Sequence, residues 1–578
     1  LKKFTEFSNK KKPENYSKIG IQVISDVTFQ PLDKYIPFFL DKFRIDASFN
    51  IGNYDQLNFD LNNLDKNNLT DWQFIYIHSS TLKYLAQASG IKNSNLPTEF
   101  DDLIINFLVL IERAIKNTPS IQFIINLFEL PPYRIRGTNS TKSDLVQSIL
   151  KANESIINLT KTYNNVIIHD ANYISASLGL GSWYDFSSWA AFKQPFSGNA
   201  LKSHAASLAA IIAGALGKSK KLLICDLDNT LWGGVIGDDG VDGIILGRET
   251  PIGEAYLDLH LYLKELKNRG IVLAICSKND IENAKNGFKH PDSVLQFSDF
   301  TVFKANWDLK IKNIYDIAEE INIGLESIVF LDDNPVERDI VRKEFNGSVS
   351  VPEIGDDITL YREILDASQL FTVTSFSQED EKRNEFYEND KKREKTIANF
   401  EDYDAYLKSL EMKAEVSLFN KSYTNRITQL TNKTNQFNLT TLRVSEHEME
   451  SAINNPSKIA LYARLSDKFG ENGLVSVIQG TIEGNKLVID LWVMSCRVFK
   501  RTLEHTLIYE FLKEAKSRNI KAVFGKYIPT QKNKIVSELY EELGFSNIGE
   551  EDGSTIFELC LEKYEIPTNP NITLEELV

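Results

Sequence analysis

Short apolar runs alternate with amphipathic segments of helical length along the first two thirds of the chain. The strand-length runs of the first series lie at 18–28, 74–78, 121–127 and 166–168. A second series follows at 221–225, 272–275 and 328–331, again with helix-length segments between the runs. Alternation of this kind is typical of parallel sheets covered by helices, so we predict two α/β domains, at 1–217 and 218–365.

The pattern changes after about residue 351, where the periodicity becomes helical. Residues 377–412 mix both charge signs densely, which predicts solvated helices in a linker at 366–412. Beyond it, strand-like runs and then one helical run lie at 459–465, 473–479, 486–493 and 501–518. We therefore predict a multidomain α/β protein whose last domain, at 413–578, is α+β with a C-terminal tail.

Composition and charge narrow the classes of partner. The formal net charge is −15, so the chain would repel a polyphosphate backbone, and we expect no nucleic-acid partner. The four cysteines form no CxxC pair, which argues against a zinc module and against a disulfide framework. No run of about 18 apolar residues predicts a membrane span, and residues 1–15 are too polar for a secretory signal. We expect a cytoplasmic protein without a membrane partner.

The strongest chemical signal is the run DLDNT at 226–230, which directly follows a predicted strand. Side chains at the carboxyl end of a parallel strand point into the crevice where α/β proteins bind ligands. Asp226 can attack phosphorus while Asp228 exchanges a proton with the leaving group. Because two carboxylates repel a phosphate, a divalent cation must neutralise them, and Mg²⁺ suits hard oxygen ligands.

Further polar residues follow in the order that such a site needs. Ser277 follows the second strand of this series and can hydrogen-bond phosphoryl oxygens. Lys310 opens a predicted helix and can offset the charge of an aspartyl phosphate. Asp332 and Asp333 follow the last strand and can complete the metal site with the two earlier aspartates. Asp333 has a second interpretation, as the cap of the next helix.

This region resembles the haloacid dehalogenase superfamily, and more narrowly its FkbH-like branch. The narrow match rests on DLDNTLWGGVIGDDG (226–240), CSKND (276–280), KANWDLKIKNI (304–314) and FLDDNPVERD (330–339). The resemblance implies a Rossmann-like domain with a minimal cap, which suits substrates carried by a larger partner. It implies these roles: Asp226 as nucleophile, Asp228 as acid/base, Ser277 and Lys310 as phosphate contacts, and Asp332 as a Mg²⁺ ligand.

The C-terminal third carries further motifs of the FkbH-like family. They are NRITQLTNKTNQFNLTTLR (425–443), DKFGENGLV (467–475) and WVMSCRV (492–498). The resemblance implies a GNAT-like acyltransferase fold, in which a glycine-rich turn receives the phosphates of a pantetheine carrier. The usual turn reads RxxGxG or RxxGxA, whereas this chain has Lys500 and Thr502 at the last two conserved positions. We expect Arg497, Lys500 and Arg501 to bind the phosphopantetheine arm of an acyl carrier protein rather than acetyl-CoA.

Cys496 lies beside this turn and is the one cysteine with a chemical argument. Its thiolate can accept an acyl group and pass it to a pantetheine thiol, and Arg497 and the following helix start can lower its pKa. The alternative is a structural cysteine near a strand end. Cys225 precedes the nucleophile on its strand, so we expect its side chain to face the core.

The first domain resembles SGNH hydrolases. Ser25 follows the first predicted strand and would be the nucleophile, with Asn139 and His204 as its partners. The chain lacks the usual glycine beside Ser25 and a clear DxxH before the last helix. The alternative is a non-catalytic docking domain, which the aromatic-rich stretch 183–198 would suit.

Three functions follow from these observations. The resemblance implies an acyl-loading enzyme that takes a glyceryl unit from 1,3-bisphosphoglycerate, removes phosphate, and loads an acyl carrier protein as a thioester. One phosphate-cutting site and one pantetheine-facing site on the same chain fit that chemistry. The second function is a phosphatase of a sugar or metabolite phosphate in polysaccharide or secondary-metabolite biosynthesis. The third is a non-catalytic assembly-line scaffold, against which the intact Asp226 and Asp228 argue.

Overall fold

The chain divides into two compact units. The structure is a computed structural model that describes residues 16–64, 72–89, 96–134, 137–139, 145–374, 383–397, 400–530 and 532–575. Unit 1 comprises Leu1–Ala215 with Ser445–His447, and unit 2 comprises Leu216–Val444 with Glu448–Val578. Within the described ranges, every helix is too short or too polar to cross a bilayer.

Unit 1 is built on a parallel sheet, which has five strands among the described residues, in the order β2-β1-β3-β4-β5. The strands are β1 (Ser17–Ser25), β2 (Ile45–Ile51), β3 (Phe74–His78), β4 (Gln122–Asn126) and β5 (Val166–His169). The helices are α1 (Leu32–Leu40), α2 (Leu57–Asn62), α3 (Thr81–Ser89), α4 (Leu96–Asn117), α5 (Leu145–Thr162), α6 (Ala171–Leu178), α7 (Leu180–Trp183), α8 (Phe186–Phe192) and α9 (Gly198–Ala215). The predicted parallel α/β architecture is confirmed. The apolar pattern does not predict strand β2, because this half-exposed edge strand, IDASFNI, contains polar residues.

A buried polar cluster lies in the interior of unit 1, around the hydroxyl of Tyr76. That oxygen lies 2.7 Å from His204 Nε2, 3.1 Å from His169 Nδ1 and 3.2 Å from His78 Nδ1. Burial lowers the pKa of His78 and of His169 to about 3, and it lowers the pKa of His204 well below its ordinary value. The three imidazoles are therefore neutral near pH 7, and one hydroxyl, which donates once and accepts twice, joins them.

Replacing Tyr76 with Phe should destabilise unit 1 by about 1–3 kcal/mol, because buried ring nitrogens would lose their shared partner. Urea unfolding of the full chain measures this as a shift of the transition that belongs to unit 1. Tyr173→Phe is the matched control, since the Tyr173 side chain is 63% exposed and its change should leave the transition in place. Equal midpoints for the two variants would show that the Tyr76 hydroxyl contributes nothing to stability.

The central part of unit 2 (residues 216–374) contains a second parallel sheet, with strand order β8-β7-β6-β9. The strands are β6 (Leu222–Cys225), β7 (Val272–Ser277), β8 (Val302–Ala305) and β9 (Ile328–Leu331). The helices are α10 (Ile236–Gly243), α11 (Pro251–Asn268), α12 (Ile281–Gly287), α13 (Lys310–Glu320), α14 (Pro335–Phe345) and α15 (Tyr361–Ala367). Strands β6, β7 and β9 are wholly buried, as expected for a sheet with helices on both faces. The parallel arrangement predicted for this region is also confirmed.

The linker helix of unit 2, α16 (Arg383–Ile397), is packed against its neighbours rather than solvated. Its Asn384 side chain donates a 2.8 Å hydrogen bond to the Lys267 carbonyl in the central part. Phe386 and Arg393 are buried. The prediction of solvated linker helices is therefore wrong for α16. The helix is rich in charged residues, yet one of its faces packs against the rest of unit 2.

The C-terminal part of unit 2 (residues 400–575) is a mixed sheet, which has nine strands among the described residues. The main path runs β16-β17-β15-β14-β13-β12-β10-β18, and β11 pairs with β14. The strands are β10 (Met412–Leu418), β11 (Phe437–Asn438), β12 (Lys458–Asp467), β13 (Gly470–Glu483), β14 (Lys486–Met494), β15 (Ala522–Tyr527), β16 (Ser546–Glu551), β17 (Ser554–Cys560) and β18 (Ile572–Leu574). The helices are α17 (Tyr403–Ser409), α18 (Thr424–Lys433), α19 (Glu446–Ala452), α20 (Leu503–Ser517) and α21 (Leu539–Glu542).

The parallel strands β14 and β15 diverge along this sheet. They pair from Lys486–Ala522 to Val488–Phe524. Beyond that point, the backbone of Leu439 lies between the two strands and bonds to both sides. The Leu439 N–H donates to a carbonyl of β14 (3.2 Å), and its own carbonyl accepts from the Ile528 N–H (2.8 Å). The end of β14, where Cys496 follows, is thereby held by backbone hydrogen bonds.

Candidate active site

Asp226 lies where β6 ends, at the carboxyl edge of the parallel sheet of the central part. Its N–H donates to the Leu331 carbonyl (2.9 Å), which extends the β6–β9 pairing by one residue and places Asp226 beside Asp332. Both carboxylates are buried. The hydroxyl-bearing side chain of Ser277, which the sequence predicts as a phosphate contact, is also buried, at the end of β7. The structure thus brings these residues to one edge, as parallel strands require.

Lys310, the first residue of α13, is the cationic centre of this edge. Its Nζ lies 2.8 Å from Asp226 Oδ2 and 2.5 Å from Asp332 Oδ2, and the side chain is 4% exposed. Burial alone would lower the pKa of Lys310, but the two carboxylates together raise it above its ordinary value. The ammonium group is therefore charged and holds one oxygen of each aspartate.

Asp332 and Asp333 are held by two residues that lie in the quoted motifs but had no role assigned from the sequence, Thr230 and Arg338. Arg338 donates to the Asp332 carbonyl (2.8 Å) and to the Asp333 carbonyl (2.6 Å) from inside α14. Thr230 Oγ1 lies 3.2 Å from Asp333 Oδ1 and accepts from the Asp333 N–H at 3.1 Å. The alternative of Asp333 as the helix cap does not hold, because Asn334 caps α14 through the N–H of Val336.

The carboxylate of Asp228 is turned toward a different set of partners. Its Oδ1 accepts from Trp232 Nε1 (3.0 Å) and from the Ile236 N–H (3.0 Å), and its Oδ2 accepts from Asn279 Nδ2 (2.8 Å). Burial raises the pKa of Asp228, against the effect of these donors. Among the described residues, the group of carboxylates that can share one metal ion contains Asp226 but not the Asp228 side chain, which corrects the predicted ligand set.

That group consists of Asp226, Asp332 and Asp333, whose ligand oxygens lie within 4.8 Å of one another. Burial raises the pKa of Asp332 to about 7, and the Asp226 carboxylate adds to this, whereas Lys310 opposes it. The pKa of Asp333 is raised by the same two causes, burial first. Burial is thus the larger cause of both pKa shifts, and the Asp226 charge adds to each of them, against the effect of Lys310.

The comparison with solved structures finds a related protein that contains a phosphatase domain. The chain is similar to the N-terminal part of the protein BF1531 from Bacteroides fragilis, which contains a phosphatase domain and was crystallised in complex with Mg. The two are 33% identical over 65% of this chain and 99% of the other, with a TM-score of 0.59. This chain belongs to the BF1531 phosphatase-domain family. No family model and no curated protein sequence matches it.

Other solved structures match about a quarter of the chain. The ribosomal-protein-S18-alanine N-acetyltransferase from Escherichia coli is 13% identical over 26% of this chain and 94% of its own, with a TM-score of 0.21. The PaiA N-acetyltransferase from Thermoplasma acidophilum, solved with coenzyme A, is 16% identical over 26% and 99%, with a TM-score of 0.20. Similarity at this level assigns neither a fold nor a reaction to this member of the phosphatase-domain family.

The residues at the sheet edge fit the Mg²⁺ that the BF1531 phosphatase-domain family implies. Asp226, Asp332 and Asp333 with Lys310 carry a formal charge of −2, that is, three carboxylates and one ammonium group. Asp226 Oδ1 is buried and accepts no hydrogen bond from the described residues, which is costly unless a cation faces it. Three hard oxygens and a charge deficit of two match a divalent cation.

In the C-terminal part of this phosphatase-domain family member, Cys496 begins a short 3₁₀ turn directly after β14. The side chain is half-buried, unlike the wholly buried Cys225 and Cys276. Burial raises the pKa of the Cys496 thiol, although Arg497 and Lys221 act in the opposite direction. Arg497 lowers the pKa of Cys496 as expected, but the effect of burial is larger. The side chain is therefore a thiol when no ligand is bound.

The turn at 497–502 keeps the backbone shape that glycines would favour. Lys500 has φ 61° and Thr502 has φ 60°, both in the left-handed region. The Lys500 carbonyl accepts from Tyr403 Oη (2.8 Å), and the Thr502 carbonyl accepts from Asn569 Nδ2 (2.8 Å). Contacts from two other segments of the chain thus support a conformation that the side chains at 500 and 502 disfavour.

Arg501 does not serve this turn as an exposed phosphate contact. Its guanidinium is buried and donates to Asp390 Oδ1 (2.8 Å) and to Asp467 Oδ2 (3.2 Å). The expectation that it binds phosphopantetheine is therefore corrected, because both carboxylates already neutralise it. Arg497 instead lies over the Phe386 ring, 4.2 Å from its centroid, and donates to Ser495 Oγ (3.2 Å).

The predicted SGNH-like residues of unit 1 do not form a catalytic arrangement. Ser25 Oγ donates to the Val27 carbonyl (2.7 Å) and accepts from the Val27 N–H (3.2 Å). His204 Nε2 lies instead at the Tyr76 hydroxyl, and the ring is wholly buried. Asn139 is exposed. A hydroxyl that is engaged with its own backbone is not activated by a base, so the predicted pairing of Ser25 with His204 is wrong.

Proposed function

We propose that the chain is a Mg²⁺-dependent phosphoryl-transfer enzyme of the haloacid dehalogenase type, with Asp226 as its nucleophile. The observation that carries this proposal is the sheet edge at which Lys310 holds one oxygen of Asp226 while Oδ1 lies buried without a protein partner. Asp226, Asp332 and Asp333 would hold the metal ion, and Lys310 would stay paired with the first two. A bound Mg²⁺ would screen the repulsion between these carboxylates and a phosphate group.

The residues supply each step of phosphate removal. A carboxylate oxygen of Asp226 attacks phosphorus, the bond from phosphorus to the leaving oxygen breaks, and that oxygen takes a proton from Asp228. The raised pKa of Asp228 favours the protonated form that this step needs, and Trp232 and Asn279 orient the carboxyl group. Water then attacks the phosphorus of the aspartyl phosphate and gives a proton to Asp228. The bond from phosphorus to the Asp226 oxygen breaks, which releases inorganic phosphate and restores the Asp226 carboxylate.

The second half of the proposal is acyl transfer to a carrier protein through Cys496. The sulfur attacks the acyl carbon of an acyl phosphate, such as 1,3-bisphosphoglycerate, and the bond from that carbon to the phosphate oxygen breaks. Phosphate leaves with the electron pair, and the thiol proton passes to solvent. Thioester exchange then moves the 3-phosphoglyceryl unit to the phosphopantetheine thiol of an acyl carrier protein. The Asp226 site would remove the remaining phosphate by hydrolysis, which leaves the glyceryl thioester on the carrier. The half-exposed position of Cys496 supports this role, whereas Cys225 and Cys276 are inaccessible.

For unit 1 we propose a docking role rather than hydrolysis. The aromatic-rich stretch there presents Phe186 and Phe192, which are 53% and 70% exposed. Large exposed aromatic side chains are typical of surfaces that bind another protein. The hydrogen bonds between Ser25 and Val27 argue against the alternative of a hydrolase with Ser25 as nucleophile.

Intact-mass spectrometry of a phosphopantetheinylated carrier tests both halves together. We expect a glyceryl mass shift on the carrier, with release of phosphate, when the wild-type chain, Mg²⁺ and fresh 1,3-bisphosphoglycerate are present. Cys496→Ala should abolish the mass shift while leaving phosphate release from a simple phosphate ester intact. Phosphate release without any carrier shift would leave a metabolite phosphatase, and absence of both would leave a non-catalytic scaffold.

A further inference from the structure

A cavity of about 490 Å³ lies within unit 2, where the central part, helix α16 and the C-terminal part meet. This volume is in the range of sites that enclose a small organic ligand. Its wall includes Lys221 and Ser327 from the central part, Arg383 from α16, and Cys496 and Arg497 from the segment after β14. The cavity therefore places the half-exposed thiol inside a space large enough for a ligand.

The wall of this cavity is strongly positive. Among the described residues of the wall, six are positively charged and one, Glu326, is negatively charged; the positive residues are Lys221, Arg383, Arg426, Lys433, Arg497 and Lys532. The described part of the wall therefore has a formal charge of +5, in a chain whose net charge is −15. Such local concentration of one sign attracts an ion of the other sign.

The pKa of Arg497 shows how the neighbouring positive charges of the wall affect a single residue. Burial is the largest cause that lowers the pKa of Arg497 to about 10, and the charges of Arg426 and Arg383 contribute to the same shift. Its own contacts are with neutral groups, the Phe386 ring and the hydroxyl of Ser495. An anion in the cavity would relieve this repulsion and would supply a charged acceptor for the guanidinium.

The cavity lies at the opposite end of the sheet from the phosphatase residues. Lys221 and Ser327 directly precede β6 and β9, whereas Asp226 and Asp332 directly follow the same two strands. From residue 221 to residue 226 the chain advances about 16 Å, at about 3.3 Å per strand residue. A ligand at Cys496 is therefore bound independently of the metal site, and its phosphate is beyond the reach of Asp226.

We propose that this cavity is a binding site for a phosphate-bearing organic ligand, whose phosphate contacts the arginines and lysines of the wall and whose other end reaches Cys496. The ligand chemistry has two sources under the proposed function, a small phosphorylated acyl donor or the phosphopantetheine arm of the carrier. The inference deepens the acyl-transfer half of that function and does not depend on the phosphatase half. It also implies that a phosphate group still present on the acyl unit is removed after the unit leaves Cys496.

Protection of Cys496 from alkylation tests the site. The full chain is treated with iodoacetamide in EDTA, so that the phosphatase edge cannot consume the ligand, and each cysteine is followed by peptide mass spectrometry. We expect 3-phosphoglycerate or 4′-phosphopantetheine, at ten times its Kd, to slow alkylation of Cys496 about tenfold. Glycerate and pantetheine, which lack the phosphate, should give little protection. The exposed Cys560 is the internal control and should react at an unchanged rate.

Variants that remove a positive charge from the cavity wall test whether the ligand protects Cys496 by binding in the cavity. Arg497→Gln should raise the Kd for the protecting ligand about 10- to 100-fold, since it removes a charge-assisted hydrogen bond. Lys433→Gln, on the same wall, should raise it in the same direction and serves if Arg497→Gln folds poorly. Lys513→Gln, on the exposed face of α20, is the matched control and should leave the Kd unchanged.

The two ligand sources give different patterns. Protection by 3-phosphoglycerate alone assigns the cavity to the acyl donor, and protection by 4′-phosphopantetheine alone assigns it to the carrier arm. No protection by either, equal slowing at Cys560, or an unchanged Kd in both wall variants would overturn the proposal. Because the assay runs without Mg²⁺, its failure is distinguishable from a failure of phosphate release.

Discussion

Replacing Asp226 with Asn is expected to lower Mg²⁺-dependent phosphate release by about 10⁴-fold or more while leaving the fold intact. An amide does not attack phosphorus, and loss of a catalytic nucleophile typically costs several orders of magnitude. The fold should tolerate the change, because the Asn oxygen can still accept the hydrogen bond of Lys310 that Asp226 Oδ2 accepts at 2.8 Å. Removing one of three crowded carboxylates also relieves repulsion on Asp332 and Asp333.

The measurement is a phosphate-release assay with a small phosphate ester, with and without Mg²⁺, combined with thermal unfolding of each variant. Asp308→Asn is the matched control, since it changes an exposed aspartate of the loop before α13 that pairs only with Lys312 on the surface. It should retain activity close to that of the wild type. Activity of the Asp226 variant within tenfold of the wild type, in a folded chain, would assign the nucleophile to another residue.

The positions of the phosphatase residues follow from the sequence because they depend on strand ends. An apolar run followed at once by a polar residue fixes that residue at the sheet edge, and parallel strands bring such ends together. Asp226, Lys310 and Asp332 meet in the structure for this reason, at 2.5–2.8 Å. The predicted order of elements was therefore enough to assemble the charged edge.

The contacts that hold these residues in place could not be predicted from the positions of strand ends, because they depend on the direction in which each side chain points. Thr230 and Arg338 hold Asp333 and the carbonyls around it, yet in the sequence they are ordinary residues of a turn and a helix. Asp228 stands two residues from Asp226, but its carboxylate turns to Trp232 and Asn279. A spacing of two residues shows which strand end a side chain belongs to, and not which partners it reaches.

Charged residues with a structural role gave the clearest differences. In the sequence, α16 has the dense mixed charge of a solvated linker, and Arg501 has the position of a phosphate contact. Both interpretations rest on charge alone. Both are wrong because Arg393 of α16 and Arg501 are buried and paired with Asp467. Sequence distance hides this arrangement, since Arg393 and Asp467 are 74 residues apart.

Replacing Asp467 with Asn is expected to destabilise unit 2 by about 3–5 kcal/mol, because it leaves two buried arginines without their shared carboxylate. The Asp467 side chain is 0% exposed, and it accepts from Arg393 Nε at 2.8 Å and from Arg501 at 3.2 Å. Asp390 contacts both arginines as well, at 2.7 and 2.8 Å, but a single partly exposed carboxylate cannot neutralise two guanidinium groups. Chemical unfolding followed by circular dichroism measures the loss.

A surface pair on the same sheet gives the control for this last change. Glu471→Gln removes a 68% exposed partner of Arg464 and should cost less than about 1 kcal/mol. Adding Arg393→Gln to Asp467→Asn should cost less than the sum of the two single changes, since the second removes a charge that the first leaves unpaired. A loss below about 1 kcal/mol for Asp467→Asn would mean that Asp390 alone neutralises both guanidinium groups and that Asp467 contributes little to the stability of unit 2.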